Sequence, residues 1–136
     1  MSKTTSETLM LRRSLRLIGD YVALKKDLIY YSDFGKLVVL SPTTTTISEA
    51  LAHMLEEDAL NCRPLRSALF VSKTHKEPSI AGSGFFEAAS SIGIFRGDSN
   101  ESRRRFWIAQ MNRFKISNET LGEYGWTNPL LTYYRS

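Results

Sequence analysis

The chain has 136 residues, of which 42% are hydrophobic and 24% are charged, and its formal net charge is +4. This length fits one domain over residues 1–136, and the hydrophobic fraction can fill a core, so the composition excludes wholesale disorder. No apolar run approaches the roughly 20 residues that cross a bilayer, and residues 1–7 lack the order of a secretory signal. Because Cys62 is the only cysteine, it cannot form an internal disulfide, and we expect a cytoplasmic protein with no membrane partner.

Apolar residues at helical spacing predict a long N-terminal helix over about residues 7–29. The stripe expected to face the core consists of Leu11, Leu15, Ile18 and Val22. The basic residues of this segment lie off the stripe, which favours a solvated helix face over the alternative of a phosphate-binding face.

The next two predicted helices are separated by a polar turn, which indicates a helix-turn-helix. Ser32 can cap a short first helix, and Pro42 prevents its continuation. A longer helix follows over about residues 47–60, with Thr46 and Glu49 at capping-box spacing. The turn is longer than the tight form of about three or four residues.

The second half of the chain combines one strand with two helices. Residues 67–72 are short and apolar and predict the strand. A glycine-containing loop leads into a short helix that ends at Gly93. Residues 95–100 are expected to form an exposed loop, and the last long helix is predicted over about residues 102–115.

The final segment, residues 117–136, is rich in aromatic rings and in loop-forming residues. Such rings pack onto the core or onto a second subunit, because a tail that leaves them in water promotes aggregation. The elements together predict a mainly helical α+β domain with a small sheet, a C-terminal helix and an aromatic tail.

The sequence assembles no catalytic group, metal site or cofactor site. His53 and His75 lie in different elements, and Cys62 has no second sulfur as a metal partner. No hydrolase nucleophile motif is present, and no small-molecule substrate is evident. Residues 82–84, Gly-Ser-Gly before a helix, suit a phosphate cradle, but the full motif is absent, so a tight connection for packing is the favoured interpretation.

The strongest charge signal is the run Arg103-Arg104-Arg105. Residues 96–115 hold six basic side chains against two acidic ones. Such a cluster suits nucleic-acid phosphates, and an ordinary solvated helix turn is the equal alternative. The acidic residues 56–58 would instead repel phosphate, and they are interpreted as a solvated helix end or as a contact to a basic partner.

Residues 29–38, Ile-Tyr-Tyr-Ser-Asp-Phe-Gly-Lys-Leu-Val, resemble the opening of the helix-turn-helix in alkylguanine-DNA alkyltransferases and alkyltransferase-like proteins. The order of elements in residues 33–93 is also similar to that winged-helix domain. The family's Pro-Cys-His-Arg-Val motif has no counterpart, because residues 64–68 read Pro-Leu-Arg-Ser-Ala, and its arginine finger is absent. The resemblance therefore implies a winged-helix-like core over residues 30–93 without alkyl transfer.

A second resemblance concerns residues 64–73, together with Pro78 and residues 82–86. This pattern is similar to a segment of small uncharacterised proteins from phage and restriction contexts. It implies a DNA-associated setting and transfers no activity.

The leading hypothesis is a non-catalytic protein that binds double-stranded DNA, such as a transcriptional regulator of a phage or mobile element. The candidate contacts are Thr44, Thr45, Ser48 and Ala52 near the groove, Lys73 and Lys76 on a wing, and Arg103, Arg104 and Arg105 on phosphates. A homodimer is expected, with residues 117–136 as its candidate interface. The alternatives are a protein-interaction module, such as an inhibitor or adaptor that counters a defence system, and a nuclease-related enzyme.

Overall fold

The computed structural model describes residues 6–37, 44–73 and 80–126. The elements in chain order are α1 (Ser6–Leu24), β1 (Ile29–Tyr30), α2 (Tyr31–Leu37), α3 (Thr44–Leu60), a 3-10 helix (Arg66–Leu69), β2 (Phe70–Val71), α4 (Ser83–Ser91), α5 (Asn100–Arg113) and α6 (Asn118–Glu123). The predicted α+β class with mainly helical content is confirmed. None of the helices within these ranges combines the length and apolar character needed to cross a membrane.

Helix α1 follows the predicted core stripe but ends earlier than residue 29, so that boundary was wrong. Leu11, Leu15 and Val22 are buried. The helix stops because Lys26 adopts φ 53° and the amide of Asp27 turns back to the Val22 carbonyl at 3.1 Å. This left-handed termination is a common helix ending, and it releases the chain into β1.

Strands β1 and β2 form a parallel pair, with Ile29 opposite Phe70 and Tyr30 opposite Val71. The predicted strand over residues 67–72 was too long, because its first part is 3-10 helix. Two side-chain contacts hold that turn: the Arg66 amide donates to Asp58 Oδ2 at 3.0 Å, and the Ser67 hydroxyl donates to the Leu51 carbonyl at 2.6 Å.

Helix α3 begins at Thr44, which is earlier than residue 47. The prediction that Thr46 caps it was therefore wrong, since Thr46 lies inside the first turn. Threonine is a weak helix former but not a breaker, so it can extend a helix whose next turns are buried. Leu51, Met54 and Leu55 of α3 are all buried in the core.

Four phenylalanines form an aromatic cluster between α4 and α5. Phe95 is 6% exposed, and its ring lies 5.5 Å from that of Phe86 and 5.0 Å from that of Phe106. The predicted exposed loop over residues 95–100 is therefore wrong at Phe95. A sequence pattern missed this position because its partners lie on two other elements, where aromatic packing outweighs the local loop signal.

Helix α4 ends as predicted near Gly93, whose φ is +81°. Helix α5 begins at Asn100 rather than at residue 102, because Ser99 and Ser102 form a capping box. The Ser99 hydroxyl accepts from the Ser102 amide, and the Ser102 hydroxyl accepts from the Ser99 amide. These two bonds satisfy amides that the helix start leaves unpaired.

The described part of the tail packs on its own chain. The Trp126 ring stacks on Trp107 with centroids 5.2 Å apart, and the Trp107 indole donates to the Ala68 carbonyl at 2.9 Å. The Tyr124 hydroxyl donates to the Leu28 carbonyl at 2.7 Å. Residues 127–136 lie outside the described part, so the tail-mediated dimer stays a prediction.

Candidate functional site

A cavity of about 540 Å³ lies where α2, α3 and the start of α4 meet. Its volume is within the roughly 300–1,000 Å³ of typical ligand sites. Five serines and the Tyr31 hydroxyl line it, and Ile47, Leu51 and Phe85 add apolar wall. The described residues of this wall carry no charged side chain. The cavity is therefore uncharged but rich in hydrogen-bonding groups.

Gly82 joins the two sides of the cavity. Its amide donates to Tyr31 Oη at 2.9 Å. A Cβ at this position would lie 3.2 Å from Tyr31 Oη and 3.3 Å from Ser72 Oγ, so glycine permits a close approach that alanine would strain. Burial raises the pKa of Tyr31, and the bond from Gly82 opposes that shift only in part. Tyr31 thus stays a neutral phenol that holds the start of α4 in place.

Ser48, in the second turn of α3, lies beside the first turn of α4 at the mouth of the cavity. A Cβ added to Gly84 would lie 3.9 Å from both Cβ and Oγ of Ser48. The residue before α4 is Gly82, which has no side chain to accept from the first amides. Because helix amino termini carry partial positive charge, the start of α4 favours an anion at this place.

Two of the four predicted groove residues line this cavity. Ser48 is exposed at its mouth, and Ala52 is half-buried in its wall. Thr44 and Thr45 belong to the first turn of α3, but their side chains lie outside the described part. The structure brings Ser48 together with residues 82–84, a proximity that neither segment indicates alone. The predicted tight connection is found at Gly82, which approaches Tyr31 and Ser72 closely. Residues 82–84 also line the cavity.

Two exposed lysines follow lining residues of the cavity in the chain, but neither lines it. Lys73 follows Ser72, and its Nζ lies 5.6 Å from the centroid of the Tyr30 ring. Lys36 follows Gly35 and lies 4.0 Å from Asp33. Sequence reasoning missed Lys36, although its place beside the helix-turn-helix pattern was a usable signal. Lys76 lies outside the described residues.

The arginine run does not form one patch. Successive residues of an α-helix point about 100° apart, so Arg103, Arg104 and Arg105 diverge around α5. The Arg103 guanidinium lies 5.5 Å from the centroid of Phe86. Arg105 Nη2 lies 3.0 Å from Glu101 Oε1 on the exposed surface. Arg104 is half-buried.

Asp58 is not part of a solvated helix end. It is fully buried and pairs with Arg66, whose Nη2 lies 2.8 Å from Asp58 Oδ1. Arg66 also donates to Asp20 Oδ1 at 2.8 Å. Burial alone would lower the pKa of Arg66, but the hydrogen bonds and charges of Asp58 and Asp20 raise it overall. A contact to a basic partner was one interpretation of residues 56–58. For Asp58, that partner is Arg66 in the core of the same chain.

The sequence contained a signal for this buried pair. Asp58 continues the helical spacing of Leu51, Met54 and Leu55, so it occupies a core position of α3. A carboxylate at such a position requires a buried partner, since an unpaired buried charge is strongly unfavourable. Arg66 could not be chosen as that partner from spacing alone.

The isolated histidine and cysteine form no cluster in the described ranges. His53 Nδ1 lies 3.8 Å from Glu57 Oε1, and Cys62 is an exposed free thiol. Within those ranges, no three His, Cys, Asp or Glu side chains lie close enough to hold a metal ion. His75 lies outside them.

Chemically, the cavity offers hydroxyl groups, the first amides of α4 and an apolar wall. Hydroxyls and the amide dipoles of a helix start favour negative charge, so this combination can bind an anionic group such as phosphate. Comparison with known proteins gives no relative from which a function could be transferred: no protein-family model, no curated protein and no solved structure matches this chain.

Proposed function

We propose that the protein is a non-catalytic DNA-binding protein. In this proposal α2 and α3 form the helix-turn-helix of a winged-helix-like core, and a backbone phosphate of double-stranded DNA binds at the mouth of the cavity. One observation carries the proposal: Ser48 of α3 and the first turn of α4 lie side by side at an uncharged, hydroxyl-lined mouth.

The chemistry of the mouth matches that of a phosphate contact. Half or more of protein–DNA hydrogen bonds go to phosphate and sugar, from hydroxyls, lysines, backbone amides and helix amino termini. Ser48 and Ser83 supply exposed hydroxyls there. Negative charge on the wall would oppose such a contact, and the described lining residues carry none.

The same placement gives α3 a role in base contacts. In helix-turn-helix proteins, the amino-terminal residues of the second helix contact base edges. A phosphate held beside Ser48 would bring the first turn of α3, with Thr44 and Thr45, close to the groove. In this arrangement the phosphate contact fixes the position of the protein along the DNA, and the side chains of Thr44 and Thr45 contact the base edges.

The arginine run makes a smaller contribution in this proposal. Arg103 of α5 lies against Phe86 of α4, the helix that begins at the mouth. Arg105 is engaged with Glu101, which reduces its local positive charge. We expect one phosphate contact from the run, together with general attraction of DNA.

The first experiment measures binding of the protein to random duplex DNA by fluorescence anisotropy over a salt series. We expect binding at low salt that weakens as salt rises, with a slope of about −0.9 in log–log units per phosphate contact. Absence of binding at low salt would refute the proposal.

A pair of variants then tests the mouth itself. Ser83→Asp places a carboxylate at the first residue of α4, where it stabilises the helix but repels phosphate. Ser90→Asp adds the same charge near the other end of the same helix, where Ser90 is exposed. We expect Ser83→Asp to weaken binding by about tenfold or more and Ser90→Asp by about threefold or less. Equal losses would exclude the mouth as the phosphate contact.

A further inference from the structure

Helix α1 carries a row of exposed apolar side chains in addition to its core stripe. Met10 is 51% exposed, Leu17 and Tyr21 are each 61% exposed, and Leu24 is 79% exposed. Large exposed apolar side chains that share one helix face indicate an interaction surface, whereas single scattered ones do not.

The spacing of this row is that of a coiled-coil seam. Met10, Ser14, Leu17, Tyr21 and Leu24 follow one another at steps of four, three, four and three residues. This is the heptad pattern of positions a and d, in which only Ser14 is polar. The core stripe of α1 lies on a different face, so the helix can pack on its own domain and on a second helix together.

We propose that this seam binds a second copy of the chain, with the two α1 helices antiparallel. Arg13 and Asp20 border the seam on one side, and both occupy position g of the heptad. In an antiparallel pair, position g of one helix faces position g of the other. Arg13 of each copy therefore faces Asp20 of the second copy, which gives two opposite-charge pairs.

The antiparallel register also places the apolar residues well. With Arg13 opposite Asp20, Met10 packs on Tyr21 of the second copy, and Ser14 packs on Leu17. A parallel pair would instead place Arg13 beside Ile18 of the second copy, where its charge has no partner, and only Asp20, beside Lys25, would meet an opposite charge. The antiparallel arrangement is the one that pairs both charges bordering the seam.

The contact to Arg66 leaves Asp20 able to take this role. The Asp20 side chain is 64% exposed, and it accepts from Arg66 Nη1 through Oδ1. An ionised carboxylate has about four acceptor sites, so a second cation can bind beside the first. The dimer would thus link Arg13 of one copy, through Asp20, to the core of the other. This inference is independent of DNA binding.

Sedimentation velocity over a range of protein concentrations tests the dimer. We expect the wild type to dimerise as concentration rises and Leu17→Glu to stay monomeric. Leu60→Glu is the matched control, because Leu60 is 85% exposed at the end of α3 and lies outside the seam. It should dimerise as the wild type does. A monomeric wild type, or a Leu17→Glu variant that still dimerises, would overturn the inference.

Cysteine cross-linking tests the antiparallel direction. In a Cys62→Ser background, a mixture of the Met10→Cys and Tyr21→Cys variants should form a disulfide-linked heterodimer under mild oxidation. Met10→Cys alone should not cross-link, since its two thiols would lie about 16 Å apart along the helices. Efficient cross-linking of Met10→Cys with itself would show a parallel pair and overturn the proposed arrangement.

Discussion

The arginine run of α5 and the mouth of the cavity offer an anion different groups: the run offers charged side chains, and the mouth offers uncharged donors. The run concentrates charge in three successive residues, but the side chains diverge around the helix. Arg103 and Arg105 also already contact Phe86 and Glu101. The mouth has no charged lining among its described residues, yet hydroxyls and the first amides of α4 lie together there. A candidate phosphate site is therefore defined by donors that lie together in the fold, more than by charges that are adjacent in the sequence.

Arg66 extends this comparison to a buried arginine. In the sequence it is an isolated cation, whereas in the structure it is the arginine whose guanidinium bonds both Asp58 and Asp20. Its role is structural, since its side chain is 9% exposed. The position of an arginine in the fold therefore decides whether it stabilises the domain or binds a partner.

The largest expected effect is at Arg66. Arg66→Ala leaves the buried Asp58 without its main partner, and we expect a loss of about 3–5 kcal/mol in the free energy of unfolding, measured by urea denaturation. Arg105→Ala, on the exposed surface, should change it by less than about 0.5 kcal/mol. Similar values for the two variants would contradict the distinction between structural and surface arginines.

A double variant separates the effect of the unpaired charge from the effect of lost packing. Arg66→Met combined with Asp58→Leu removes both buried charges, so the pair should be less destabilised than Arg66→Ala alone. Additive losses from the two substitutions would show that packing, rather than charge pairing, makes this part of the core stable.

A smaller effect is expected at Gly82. Gly82→Ala brings a methyl group within 3.2 Å of Tyr31 Oη, and we expect it to cost about 1 kcal/mol or more. Gly122→Ala in α6 is the control, because no described atom lies within 4 Å of its added Cβ. It should stabilise the protein slightly through better helix propensity. If both substitutions stabilise equally, the close packing of Gly82 against Tyr31 is refuted.

The smallest effect concerns the arginine run. Replacing Arg103, Arg104 and Arg105 together by alanine should lower the magnitude of the salt slope of DNA binding by about one unit, the value for one phosphate contact. The anisotropy salt series measures this slope directly. A decrease of about three units would mean that all three arginines bind phosphate, and the run would replace the mouth as the main contact.

The sequence predicted what depends on local periodicity. The core stripe of α1, the end of α4 at Gly93 and the mainly helical content follow from spacing and from helix-stop signals. Helix starts were less accurate, because α3 continues through its threonines to Thr44 and α5 is capped by Ser99. Such boundaries depend on single side-chain contacts that spacing does not specify.

The candidate site could not be predicted because it is non-local. Tyr31 and Gly82 are separated by 51 positions in the sequence and meet through one hydrogen bond. Ser48 lies between them in the chain but beside Gly84 in space. The sequence made Ser48 a candidate groove contact and made residues 82–84 a disfavoured candidate for a phosphate cradle, and only the packing of α3 against α4 shows that they share one mouth.

The most direct test of the mouth as the phosphate contact is an NMR titration of the protein with a short DNA duplex. The amide signals of Ser48, Ser83 and Gly84 should shift most, and Ser83→Asp should suppress these shifts while Ser90→Asp preserves them. Shifts centred on Arg103, Arg104 and Arg105, with the amides at the start of α4 unchanged, would contradict this assignment.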